Sequence, residues 1–159
     1  MTVTALTLVP STLTRPAVTL VIPGEPVAQP RYRHASHRTR SGRTITTGYL
    51  PSDHPIWAYR AALQAAARQA GLTPLDQPLI LSAQFYLLRP KRLLSRRAPD
   101  GPIWHTGRPD LSNLIKGLED ALNGTAWMDD SVIVGYGAMG KWYVEKGGQP
   151  RTEIQIFLI

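Results

Sequence analysis

Four carboxylates and one amine carry most of the chemistry open to this sequence: Asp110, Glu119, Asp129 and Asp130, with Lys116 among them. All lie in one run, R-P-D-L-S-N-L-I-K-G-L-E-D-A-L-N-G-T-A-W-M-D-D-S, residues 108–131. Two aspartates from separate segments, Asp110 and Asp130, meeting beside Lys116 at a positively polarised helix end, could hold a divalent cation through oxygen ligands, Mg²⁺ before Mn²⁺. The same residues also have ordinary uses. Asp110 can be a plain N-cap, Asp129-Asp130 a turn before a strand, and Lys116 an i, i+4 partner of Asp120. Residue types alone leave both readings open.

The elements that must position these groups follow from the apolar spacing. Leu111, Leu114, Ile115, Leu118, Ala121 and Leu122 recur at helical intervals, which predicts a helix over 111–122 with one buried stripe. Asp110 falls at its N-cap and Asn123-Gly124 supplies a left-handed stop. Ser112, Lys116, Glu119 and Asp120 occupy the other face. The helix is about 18 Å long, and the extended stretch 123–129 can span about 23 Å, enough to bring Asp130 back to Asp110.

Charge sharpens the question. The 159 residues carry a formal net charge of +7. Arg31, Arg33, Arg38, Arg40 and Arg43 fall in one acid-free stretch, and Arg89, Lys91, Arg92, Arg96 and Arg97 in another. Such stretches bind phosphates without reading sequence, so nucleic acid leads as partner over a merely soluble basic surface. Asp110, Glu119, Asp120, Asp129 and Asp130 are five of the eleven acids in the chain. Carboxylates facing phosphates repel them unless a cation lies between, so a basic chain with a compact acidic centre fits a metal-dependent nuclease better than a passive binder.

The runs P-D-L-S-N-L-I-K, E-D-A-L-N-G and W-M-D-D-S-V-I resemble the signature of RusA-type Holliday-junction resolvases, endonucleases frequent in phages and prophages. The likeness extends upstream to G-E-P-V-A-Q-P-R-Y-R and downstream to Lys141. It implies that Asp110 and Asp130 are metal ligands and that Lys116 is essential; Asp129, next to Asp130, and Glu119, on the Lys116 side of the helix, are further candidate ligands by position alone. It also implies Mg²⁺ dependence, branched DNA such as four-way junctions as substrate, a small mixed sheet assembled as a homodimer, and a bacterial or phage-encoded protein acting in the cytoplasm. Arg108 joins the arginines named above as a candidate DNA contact. The sequence departs from the family at Ser112, where another aspartate is usual.

Composition bounds the rest. The chain is long enough for one buried core, and a single domain over residues 1–159 is expected, with 1–16 as a flexible arm. Absence of cysteine excludes disulfides and thiolate zinc sites and fits a reducing cytoplasm. No apolar run reaches membrane-spanning length, and residues 1–10 lack the basic start of a signal peptide.

In chain order, a strand is expected over 17–22, then a basic loop over 25–52. A second helix follows, capped by Ser52 or Asp53 and ended by Gly71, and its Arg60 and Arg68 read as surface charges. His34 and His37 read as solvated or near phosphate rather than as a metal pair. A strand over 79–88 feeds the second basic loop, 89–107, where Trp104 and His105 could stack on DNA or simply pack. Strands over 132–144 and 152–159 are expected to form a terminal hairpin, with Gly135, Gly137 and Gly140 marking a bulge or a close approach. The order predicts one α/β (α+β) domain, a mixed sheet with packed helices. A junction binder weakened by Ser112 and an RNA-processing module are the rival functions.

Overall fold

The computed structural model describes residues 15–31 and 33–159. The arm expected over 1–16 lies outside the described residues up to residue 14, as does the Arg33 side chain. Two sheets and two helices follow: β1 Val18–Pro23, β2 Arg33–Arg38, β3 Thr44–Tyr49, α1 Ile56–Gln69, β4 Leu79–Leu87, β5 Ile103–Trp104, α2 Leu111–Leu122, β6 Ile133–Tyr143 and β7 Arg151–Leu158. The main sheet has the order β1-β7-β4-β6-β5, with β4 and β6 parallel and the remaining pairs antiparallel. This is the small mixed α+β fold expected.

β4 takes the centre because alternate positions are strongly apolar. Leu79, Leu81, Ala83, Phe85 and Leu87 are all buried on one face. α1 and α2 cover that face, with Ile56, Tyr59, Leu63 and Ala67 from α1 and Leu114, Leu118, Ala121 and Leu122 from α2. Each fully buried leucine here contributes about 1.5–3 kcal/mol of transfer free energy. The unit β4–α2–β6 is a parallel crossover, so α2 runs back across the sheet antiparallel to the strands it joins.

The terminal hairpin is not formed. β7 pairs with β4 and β1, and β4 separates it from β6. A hairpin would have left one side of the most apolar strand unpaired; residues 144–150 instead carry the chain past the end of β4. The connection is tied there by Val144 N donating to Leu87 O (2.9 Å) and by Arg89 Nε donating to Val144 O (2.9 Å). The glycines of β6 do mark irregular pairing, since its register with β4 shifts twice, between Leu79 and Ile80 and between Leu81 and Ala83.

The loop expected over 25–52 is also corrected. β2 and β3 form a separate antiparallel hairpin closed around Gly42, whose φ of 81° is left-handed. The β-branched run Thr44-Ile45-Thr46-Thr47 and the Ser41-Gly42 turn were its sequence signals, and the many arginines masked them. Described side chains on both faces of this hairpin are exposed. It stands away from the core.

α1 likewise lacks the expected cap. Pro55 is the N-cap position, and His54 Nδ1 accepts from Ile56 N (3.1 Å) in place of Ser52 or Asp53.

Candidate active site

α2 occupies the predicted residues, with Gly124 in the left-handed conformation after its end (φ 70°). Asp110 is its N-cap by position, and its backbone carbonyl accepts from Asn113 N (3.1 Å) and Leu114 N (3.2 Å). Its carboxylate makes no capping hydrogen bond. The expected side-chain cap is therefore absent, and both oxygens stay available to a ligand at the positive end of the helix.

The backbone before Asp110 is fixed by Lys141. From the helix-facing side of β6, Lys141 Nζ donates to Gly107 O (2.6 Å) and Pro109 O (2.5 Å). The same residue's carbonyl accepts from His105 N (3.0 Å). A lysine on the penultimate strand thus sets where Asp110 begins the helix.

Beyond α2, residues 123–129 do not run extended. They close in tight turns, with Ala126 N donating to Leu122 O (2.8 Å) and Gly124 N to Trp127 O (2.7 Å), and they strap onto Leu75. This delivers Asp130 to the middle of α2, where its carboxylate lies 3.7 Å from Lys116 Nζ. Lys116 also pairs with Asp120 at 2.9 Å, and that hydrogen bond raises the lysine pKa further. The ordinary i, i+4 pair and the contact to the second aspartate therefore coexist.

Glu119 completes this group. It is only 8% exposed, and Tyr136 from β6 donates a hydroxyl hydrogen bond to its Oε1 at 2.5 Å. That bond, with burial and the charges of Glu119 and Asp130, pushes the Tyr136 pKa up to about 12. Tyr136 is thus a protonated donor throughout the neutral range. Asp129 is exposed and accepts from Ser131 N (3.0 Å), which lowers its pKa and makes it the cap of a short 3₁₀ turn, Asp130–Val132.

Asp110 lines an open pocket with Arg31, Arg108, Pro109 and Asn113. Among the described residues, no group of three or more His, Cys, Asp or Glu side chains is placed to hold a metal ion, and no ion pair joins Asp110 to Lys116. The donor chemistry nevertheless suits a hard cation: Asp110 commits neither carboxylate oxygen to capping its own helix, and Asp130 is partly exposed. Ser112 is exposed on the same helix and adds no carboxylate.

Arg31 reaches this pocket because residues 25–31 cross α2 closely. A Cβ on Gly117 would lie 3.0 Å from Val27 O and 3.1 Å from Gln29 N, so any larger residue would press the crossing backbone outward by a few tenths of an ångström. Gln29 N donates to Asn113 O (2.8 Å), and Arg60 donates to Gln29 Oε1 (2.8 Å) while facing Asp120 at 3.4 Å. Arg60 is therefore a clamp, not the surface charge expected. Tyr136, Gly117 and Gln29 were not singled out from sequence, and Arg60 only as a surface charge. Of these, a glycine inside an amphipathic helix was the readable signal, since it costs about 1 kcal/mol there without a packing reason.

The basic residues divide into two kinds. Arg38, Arg40 and Arg43 on the hairpin, Lys91, Arg92, Arg96 and Arg97 in the second loop, and Arg108 are exposed. Arg89 is 4% exposed and donates to the carbonyls of Val144, Leu93, Pro99 and Gly101. Its guanidinium organises the loop from inside and is shielded from solvent, which corrects its reading as one of the exposed phosphate-binding arginines. His34 and His37 are exposed and, three apart on β2, face opposite ways.

Comparison with known proteins agrees with this geometry. The family model described as "Endodeoxyribonuclease RusA" matches residues 23–157. A relative from Bacillus subtilis (strain 168), "Uncharacterized protein YqaN", is 30% identical over 138 residues, covering 84% of this chain and 90% of its own length. The match takes in the crossing segment at Gly117, the helix opened by Asp110, and the strand that carries Tyr136 and Lys141, and the chain belongs to the RusA endodeoxyribonuclease family.

Proposed function

We propose that this protein is a Mg²⁺-dependent, structure-selective endodeoxyribonuclease that resolves Holliday junctions and other branched DNA in recombination and repair. Membership of a family of junction endonucleases supports the reaction class. The observation that carries the assignment to residues is the approach of Asp130 to Lys116, on the helix that Asp110 opens with an uncommitted carboxylate.

Asp110 and Asp130 would hold the cation, with Asp129 and Glu119 as further ligands; Mn²⁺ would serve as an alternative to Mg²⁺. When bound, such a metal polarises the scissile phosphate and lowers the pKa of an attacking water. Lys116, between Asp120 and Asp130, offers its ammonium to the charge that develops on the phosphate. Tyr136 orients Glu119, and Lys141 fixes the approach to Asp110. Arg31, Arg33, Arg38, Arg40, Arg43, Lys91, Arg92, Arg96, Arg97 and Arg108 bind the phosphate backbone, the first five from the crossing segment and the projecting hairpin.

Two symmetric incisions across a four-way junction require two sites, so the working unit is a homodimer of single-domain subunits, one metal site in each. The place of action is the cytoplasm of a bacterium, with the gene carried by the host or a phage. No helix among the described residues is long and apolar enough to cross a membrane.

One observation favours a second reading. Ser112 stands exposed where the family usually has an aspartate, which fits a junction binder of weakened catalysis. A competition assay among junction DNA, linear duplex and structured RNA tests the substrate class. Junction DNA should compete best, and equal competition by structured RNA would overturn the reading.

A further inference from the structure

On the face of the main sheet away from the helices, an aromatic stack is built at the β5 edge. Trp104 and Trp142 are cross-strand partners with ring centroids 3.4 Å apart and planes 22° apart. Trp142 is pinned: its Nε1 donates to Gln84 Oε1 (2.7 Å), and Gln84 Nε2 donates to Ala138 O (3.1 Å). Both side chains lie over Gly140. A Cβ at that position would meet the Gln84 amide oxygen and stand 2.6 Å from Trp142 Nε1, so the missing side chain makes room for the stack.

The upper ring is left open. Trp104 is 64% exposed although Trp142 covers one of its faces. A large aromatic ring held rigidly with its second face open is pre-organised to stack on a flat ligand. The surrounding chain indicates the chemistry of that ligand. Exposed Lys91, Arg92, Arg96 and Arg97 lie in the loop that leads into β5, Arg108 follows it, and residues 101–109 contain no acid. The flanking charge suits a ligand that is aromatic and carries phosphates. Trp104 is also tethered to the candidate site, since only five residues separate it from Asp110 and Lys141 ties the segment between them down.

We propose that Trp104, backed by Trp142, is a stacking platform for one unpaired nucleobase at the branch point of the DNA substrate. The inference rests on the junction-endonuclease reading and adds to it a source of structure selectivity. Bases in an intact duplex are stacked on both sides and cannot reach an indole face. A base released where strands exchange can, and the exposed cations of the flanking loop are available to its phosphates.

The test compares wild type, Trp104→Ala and Trp104→Phe for binding to a four-way junction and to a length-matched linear duplex at one salt concentration. Trp104→Ala should weaken junction binding by about 5- to 150-fold, the range for losing one base–aromatic stack, and leave duplex binding unchanged. Trp104→Phe should recover most of the loss. Gly140→Ala, which dislodges Trp142 from below, should show the same selective loss. A junction carrying 5-iodouracil at the branch point should photocrosslink to Trp104, and one carrying it within an arm should not.

Equal losses for junction and duplex, or wild-type junction affinity in Trp104→Ala, would overturn the platform. So would a change of oligomeric state on Trp104→Ala, which would give the ring to a second copy of the chain. If the wild-type protein nicks junctions with Mg²⁺ and only these tests fail, the platform alone is wrong. If wild type neither prefers nor nicks junctions, the reading beneath it fails with it.

Discussion

Tyr136 on β6 donates a 2.5 Å hydrogen bond to Glu119 on α2, and so fixes a nearly buried carboxylate beside Lys116. Glu119 is the acid on this face of α2 best placed to compensate for Ser112, since both project on the Lys116 side of the helix. They are about 10 Å apart along the axis, a gap that a water on Mg²⁺ can shorten. Glu119→Gln should raise the Mg²⁺ concentration needed for cleavage, Tyr136→Phe should raise it less, and adding Ser112→Asp should restore it. A metal titration of nicking, with calorimetric Mg²⁺ binding beside it, reads all three. Normal cleavage by Glu119→Gln at limiting Mg²⁺ would remove Glu119 from the site.

Asp110→Asn and Asp130→Asn should each abolish nicking while junction binding stays equal or tightens, because a carboxylate facing phosphate has been neutralised. Parallel gel-shift and cleavage assays separate the two effects. Near wild-type cleavage by either variant contradicts the assignment.

Arg89 and Arg31 should behave oppositely. Arg89→Met leaves buried carbonyls without their donor and should destabilise the fold by about 1–3 kcal/mol, seen as a lower unfolding midpoint, with the salt dependence of DNA binding retained. Arg31→Ala should leave the midpoint alone and flatten the salt dependence by about one unit of slope. An unchanged slope places the DNA elsewhere.

Much of this fold can be read from the sequence alone. The 3.6-residue rhythm from Leu111 to Leu122 located α2 to the residue, because an amphipathic stripe between a Pro-Asp start and an Asn-Gly stop admits few alternatives. Period-two alternation found β4 for the same reason. Sequence failed where the deciding contacts are distant. Nothing local distinguishes a terminal hairpin from a β7 that crosses to the far side of β4, and nothing local separates the buried Arg89 from its exposed neighbours Lys91 and Arg92. The Asp110 carboxylate was expected to cap its helix and does not, a rotamer choice that lies below the reach of sequence pattern.

Gly117→Ala probes the crossing segment. The added methyl group would meet the backbone of Val27 and Gln29 at 3.0–3.1 Å, so overpacking should cost about 1–3 kcal/mol despite the better helix propensity of alanine. The displaced Arg31 should weaken DNA binding in the same variant. A more stable protein with wild-type affinity would show that the segment is free to shift.

The homodimer is checked by light scattering at the working concentration of the nuclease assay. A dimer is expected, and full activity from a monomer contradicts the two-site arrangement.

The most direct measurement is incubation of the purified protein with a synthetic four-way DNA junction, with and without Mg²⁺, read on a denaturing gel. A metal-dependent junction resolvase should leave paired, symmetric nicks near the branch point only when Mg²⁺ is present, and none in a linear duplex of the same sequence. Tight junction binding with no metal-dependent nick would contradict it and leave a binding protein in its place.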